Sequence, residues 1–437
     1  MTCAASAVPK FQALCSVIGL TPQFTTCQQC CPGKNHAQVA VLQLCETEYA
    51  AGAEVRRSTW PGGISIRGDD LRDVKQKIAT RPESICRRVT LKIDDIGLDG
   101  RQIVAIAQRR FGKTGLTVPA VTYGGGWVGG LLIRAERDVR EGILERAMTA
   151  GIDWIDTAAA YGKGVSETVI GEWLANRGGA KPPRISTKFG VDVTGAAFED
   201  QMLTSVEASL KRLRRDKVEV IYLHNRIIPD DAARPDGRSN TLSEILGPGG
   251  AADVMARMRE RGLCDFIGIT ALGDPASLRT VVESGRFDAA QVYYNMLNPS
   301  SAEPAGAGWN TTDFNGLLGA CDAHGVGTMG IRIFAAGHLA TDERHGRELP
   351  ITANTESSQE EARTAAVFEL LGEDYGTRAE TALRFGLACD ALSTIVVGIG
   401  ETWHFDQVLA ATEAGPLPGD ILDKLQALRA SHPAFRS

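Results

Sequence analysis

Gly151-Ile-Asp-Trp-Ile-Asp156-Thr-Ala-Ala-Ala-Tyr161-Gly-Lys-Gly-Val-Ser166-Glu-Thr-Val-Ile-Gly-Glu-Trp-Leu174 reads as a strand, a loop and a helix in succession. The apolar run Trp154 to Asp156 is too short for a helix. The stretch from Ser166 places apolar residues at three- and four-residue spacing, the mark of a helix with one buried face. The same unit recurs outward in both directions. Strand-like runs fall at Ala120 to Gly124, Arg184 to Lys188, Val218 to His224, Phe266 to Thr270, Ala289 to Tyr294, Val326 to Ile333 and Thr394 to Val397. Between them lie helical patterns such as Phe198 to Leu213, with Met202, Val206, Leu210 and Leu213 along one face. Strands alternating with helices through short connections form a parallel sheet. Eight such units over roughly 300 residues match a closed (β/α)8 TIM barrel of the α/β class. The rival, an open doubly wound sheet, requires a G-x-G-x-x-G turn after its first strand, and Gly124-Gly-Gly-Trp-Val-Gly-Gly130 has other spacing.

The alternation begins near residue 110, and the chain divides into an irregular extension, 1–105, and a barrel domain, 106–437. The extension mixes polar, Gly- and Cys-containing stretches with one short charged piece, Asp69 to Thr80, and is expected to be disordered or to be translated sequence upstream of the true start. Cys3, Cys15, Cys27, Cys30, Cys31, Cys45 and Cys86 lie in it, while the barrel holds Cys264, Cys321 and Cys389. Cys27, Cys30, Cys31, His36 and Cys45 are of the type that binds zinc, but one C-x-x-C without a second pair at finger spacing does not assign a metal site. Scattered barrel cysteines point to reduced thiols.

Net charge is -6 with 23% charged and 43% hydrophobic residues, which supports a large core and argues against general affinity for nucleic acid or anionic membrane. No run approaches the roughly 18 apolar residues of a membrane span. Lys10 makes a thin positive region before Phe11 to Leu20, and the first arginine is Arg56, so neither a secretory nor a mitochondrial leader is read and a cytoplasmic location is expected.

The chemistry-bearing residues stand at the ends of different strands. Asp156 ends the second, with Tyr161 in the loop after it; Lys188 ends the third and His224 the fourth. In a barrel, such positions gather at one mouth. The segments Asp156-Thr-Ala, Tyr161-Gly, Ser166-Glu, Lys188 and Leu223-His224 together resemble the signature of the aldo-keto reductase family in order, spacing and strand position, from about Arg109 to Ala411. The resemblance implies a hydride transfer between a nicotinamide cofactor and an aldehyde, ketone or sugar-type alcohol. Tyr161 is then the general acid or base, Lys188 favours the phenolate, Asp156 pairs with the lysine, and His224 orients the substrate oxygen.

For the cofactor, the resemblance places Gln291 against the nicotinamide carboxamide. Thr270-Ala271 replaces the family's Ser-Asn pair, keeping a hydroxyl and losing an amide. Ile331 stands where many relatives carry a stacking aromatic. After the eighth strand, Val397-Gly-Ile-Gly-Glu-Thr-Trp-His-Phe405 offers the backbone of Gly398 and Gly400 to a phosphate, together with the carboxylate of Glu401 and no fixed cation, which favours NAD over NADP. Trp127 and Trp309 are candidate substrate walls, and the long loops 225–249 and 335–377 candidate lids. The segment Ile331-Arg-Ile-Phe-Ala-Ala-Gly337 is similar to bacterial sugar-dehydrogenase-like members. The expected partner is a small carbonyl or sugar substrate, and the sequence leaves the oligomeric state open. The alternative function is a cofactor-binding regulatory subunit on the same barrel.

Overall fold

The computed structural model describes residues 106–126, 128–191, 198–234, 237–344, 346, 348 and 355–437 and, by backbone alone, two earlier strands, Val39–Gln43 and Arg88–Lys92. By its internal contacts the chain divides into Met1–Ile103 and Val104–Ser437. In the first unit the two strands pair antiparallel, Val39 opposite Lys92. The cysteine cluster and the expected disorder fall outside the described residues, as does Trp127.

In the second unit eight strands close a barrel: β1 (Val121–Gly124), β2 (Trp154–Asp156), β3 (Arg184–Phe189), β4 (Val218–Leu223), β5 (Cys264–Ala271), β6 (Ala289–Tyr293), β7 (Gly327–Ile331) and β8 (Thr394–Gly398). Every neighbouring pair is parallel, β8 with β1 included. The barrel helices are α1 (Arg137–Thr149), α2 (Val165–Asn176), α3 (Phe198–Leu213), α4 (Ala251–Glu260), α5 (Pro275–Glu283), α6 (Leu317–Ala323), α7 (Arg378–Leu387) and α8 (His404–Ala414). Their starts are written in the sequence. Asp274 caps α5 by accepting from Ser277 N at 2.7 Å with Pro275 in the first turn, and Thr377 and Glu380 form a reciprocal capping box on α7. The face of α3 carrying Met202, Val206, Leu210 and Leu213 is buried, as its spacing predicts.

Side chains alternate inward and outward along each strand. The outward ones join the helices in the main core, while Trp154, Val220, Tyr222, Ala289 and Met329 form a separate apolar cluster inside the barrel. That cluster is finished from below by a hairpin, Gln108–Arg110 against Thr117–Pro119, whose tip residue Phe111 packs on Trp154 at 5.1 Å between ring centroids. Arg109 fixes the hairpin to the end of α7, donating to the carbonyls of Leu387, Cys389 and Leu392. Of these, the Leu387 carbonyl is an orphan acceptor at the helix C-terminus, where a cation is favoured, and the other two follow the helix end.

Three features differ from the sequence reading. The seventh strand stops at Ile331 rather than Ile333, because Arg332 adopts φ 62, outside the extended region. The loop 335–377, expected as a lid without regular structure of its own, contains a helix, Ser357–Leu371. Glu356 and Gln359 make its capping box, and it buries Ala366, Val367, Leu371 and the Arg363–Glu360 pair. The loop after β4 holds a parallel strand pair, Arg226–Ile228 with Ser239–Thr241, and a short helix, Leu242–Leu246. Among the described residues no helix is long and apolar enough to cross a membrane.

The hairpin plug has a measurable weight. Phe111 is fully buried, so Phe111→Ala is expected to lower unfolding stability by about 3–5 kcal/mol in chemical denaturation. A loss under about 1 kcal/mol would mean that the barrel floor collapses around the gap.

Candidate active site

The turn that carries Tyr161 explains its own sequence. Gly162, Lys163 and Gly164 take φ 59, 56 and 91 in succession, a left-handed run that two glycines make accessible. It brings the tyrosine back over the barrel mouth. There Lys188 Nζ, at the end of β3, uses its three N–H groups on three acceptors: Asp156 Oδ2 at 2.5 Å, the Thr157 carbonyl at 2.8 Å and the Tyr161 hydroxyl at 3.2 Å. Asp156 and Lys188 are 2% and 1% exposed, so this ion pair has left water. Burial pulls the lysine's pKa down, but the Asp156 carboxylate, then Tyr161, outweigh it and hold the ammonium above its ordinary value.

His224 follows β4 and presents its ring to Tyr161 edge-on, 6.2 Å between centroids. Burial first, then the charges of Lys188 and Arg238, lower its pKa from 6.5 to about 3. The four residues predicted from strand ends are therefore brought together, with an ammonium, a carboxylate, a phenol and a neutral imidazole at one mouth. Behind them the Ser166-Glu167 pair braces the strands. Ser166 Oγ accepts from Thr157 at 2.9 Å, and Glu167 accepts from Thr187 Oγ1 at 2.5 Å and from Arg212 Nε at 2.7 Å.

The expected cofactor residues lie around the same mouth. Thr270 and Gln291 are register partners on β5 and β6. Thr270 Oγ1 is buried and has no hydrogen-bond partner among the described residues. Gln291 Nε2 donates across the barrel to Asp156 Oδ1 at 2.7 Å, a contact that the sequence did not suggest. Ile331 ends β7 half-buried. Gly398 ends β8, and the next turn crosses the loop after β1 so closely that a Cβ on Gly129 would lie 2.6 Å from Ile399 N. The amides of Gly400 and Glu401 donate to His404 Nδ1 at 3.3 and 3.1 Å, and Glu401 is exposed. Trp309 is placed against the C-terminal tail, its ring stacked on Phe435 at 6.0 Å and its Nε1 donating to the Thr312 carbonyl.

Sequence reasoning passed over Ser186. It lies two residues before Lys188, hence on the same inward face, and donates to Asp156 Oδ1 at 2.7 Å. The two-residue period was the available signal. Among the described residues no group of three or more His, Cys, Asp or Glu is placed to hold a metal ion.

The profile of the aldo/keto reductase family matches residues 120–430. The chain belongs to this family, and it is an NAD(P)-dependent oxidoreductase acting between carbonyl and alcohol. Among its relatives, L-galactose dehydrogenase of Arabidopsis thaliana is 26% identical over 335 residues, covering 74% of this chain and 94% of that one. Pyridoxal 4-dehydrogenase of Microbacterium luteolum is 24% identical, covering 68% and 90%. An aldo-keto reductase from Bacillus halodurans in its holo form shares the fold, with TM-score 0.55 and 19% identity over 75% of this chain and 97% of that one.

The low value of His224 has a sign that can be tested. Its folded pKa lies below that of the unfolded chain, so the stability it contributes is full above pH ~6.5 and is lost as pH falls toward about 3. The slope of stability against pH in that window is expected to shrink in His224→Gln by up to one proton's worth, measured by denaturant unfolding at successive pH. An unchanged slope would place the ring's titration elsewhere.

Proposed function

We propose that this protein transfers a hydride between a nicotinamide cofactor and the carbonyl carbon of an aldose or related aldehyde, with Tyr161 as the proton donor in reduction and the acceptor in oxidation. The observation that carries the reading is the Tyr161 hydroxyl held at 3.2 Å by a fully buried ammonium that is itself paired with Asp156. A bound nicotinamide supplies or takes the hydride. The protein's own groups handle the proton and the charge. Lys188 donates to the phenol oxygen and stabilises the negative charge that grows there as the proton leaves. Asp156 keeps the lysine charged and aimed. His224, neutral across the working pH range, can hydrogen-bond the substrate oxygen without adding a second positive charge beside Lys188.

The aldose direction draws support from relatives named for sugar oxidation, L-galactose dehydrogenase and a Pseudomonas D-threo-aldose 1-dehydrogenase that is 27% identical over 267 residues. On the cofactor side, Thr270 and Gln291 suit the carboxamide. The turn after β8 carries Glu401 and no lysine or arginine from Val397 to Phe405, so a 2′-phosphate would meet a carboxylate, and NAD is favoured over NADP.

Tyr161→Phe is expected to keep NADH binding, read by nicotinamide fluorescence, and to lose about 10²–10⁴ in turnover on aldoses and aldehydes. Equal turnover by wild type and variant would remove the tyrosine from the mechanism, and failure of wild type to bind either cofactor would sink the whole reading. Glu401→Arg is expected to tighten NADPH relative to NADH by roughly tenfold, the worth of one charge-assisted contact. An unchanged ratio would place the cofactor's ribose away from this turn.

A further inference from the structure

The hydrogen bonds around Asp156 are unevenly shared between its two oxygens. Oδ2 takes Lys188. Oδ1 takes two other donors from different walls of the barrel, Ser186 Oγ from β3 and Gln291 Nε2 from β6, each at 2.7 Å. Ser186 is itself oriented. The indole Nε1 of Trp154 donates to Ser186 Oγ at 3.1 Å, and since an indole can only donate, the serine proton is directed onward to the carboxylate. Trp154, Ser186 and Asp156 are each 2% exposed or less.

We propose that Ser186 is a positioning residue for the hydride transfer, holding one oxygen of Asp156 so that the carboxylate meets Lys188 through the other oxygen alone. The inference rests on the reading of Tyr161 given above. Its logic is an inventory of donors. Lys188 has three N–H groups and three acceptors, with the Tyr161 hydroxyl the most distant of them. A carboxylate that loses Ser186 keeps only Gln291 on Oδ1, and that under-satisfied oxygen turns toward the ammonium, since a buried charge short of a donor seeks one. The lysine then gives a second N–H to Asp156, and the acceptor it gives up is the phenol. Ser186 therefore acts on Tyr161 through Asp156 and Lys188, without touching cofactor or substrate. Gln291 completes the hold from the far wall. Because Gln291 also faces the expected carboxamide site beside Thr270, Ser186 is the donor that can be removed without disturbing the cofactor.

The test compares wild type, Ser186→Ala, Ser186→Thr and Trp154→Phe by steady-state kinetics on an aldose that wild type turns over, with NADH affinity read by fluorescence and folding by thermal melting. Ser186→Ala is expected to lower kcat about tenfold, the worth of one hydrogen bond to a charge, while KM and NADH affinity stay within about twofold. Ser186→Thr restores a hydroxyl at the same atom and is expected to recover most of kcat. Trp154→Phe, which leaves the serine in place but removes the group that orients it, is expected to show the same split with a smaller loss. If the alanine variant keeps its kcat, or if the threonine variant does not recover it, Ser186 only fills space and the inference is wrong. Wild type that neither binds cofactor nor turns over any carbonyl or aldose overturns the parent reading and this one together.

Discussion

An ammonium and a carboxylate removed from water at the mouth of a barrel impose the terms under which the rest of this fold is built. Each ion left unpaired there would cost several kcal/mol, so Lys188 and Asp156 persist only because β2 and β3 deliver them side by side. Pairing alone does not satisfy them. The remaining donors and acceptors are met by the Thr157 carbonyl, the Tyr161 hydroxyl, Ser186 and Gln291, drawn from two strands and one loop. The ion pair is thus a poor source of stability and a strong source of geometry. It fixes where the phenol sits, while burial, then the charges of Lys188 and Arg238, make protonation of His224 unfavourable.

The strand period carries this arrangement further than the motif does. Asp156 and Thr157 are neighbours in sequence but face opposite sides of the sheet, as do Thr187 and Lys188. The inward pair makes the ion pair, and the outward threonines reach Ser166 and Glu167 on α2. A single helix therefore steadies both strands from behind, with Arg212 of α3 holding Glu167 in turn. The serine and glutamate that make this part of the chain recognisable act as its brace.

Much of the barrel was legible because short apolar runs between periodic helices leave little freedom, and the tetrad was legible because four polar residues at strand ends are unusual together. What escaped has physical reasons. The helix Ser357–Leu371 hides its apolar face among glutamates, one of them buried against Arg363, so the stretch read as part of a long loop. β7 was read two residues too long because Ile331 and Ile333 flank Arg332, and only its left-handed backbone reveals the break. The cross-barrel bond from Gln291 to Asp156 joins residues 135 apart in sequence, a separation no local pattern reports. The stacking of Trp309 on Phe435 joins two residues more than a hundred apart in sequence, another contact its loop position does not report.

The floor of the barrel sets an order on how this chain can be made. The hairpin around Phe111 is among the first parts of its unit to be synthesised, yet the groups it must meet come much later. Its backbone bonds to the Gly325 carbonyl through Lys113, and Arg109 waits for the carbonyls of Leu387, Cys389 and Leu392. Contacts between such distant segments form slowly, because a long loop must close before they contribute. A nascent chain released before α7 therefore lacks the carbonyls that Arg109 needs, and the floor under Trp154 has lost that anchor. The step that seals the barrel follows the synthesis of α7, and the beginning of the unit performs it.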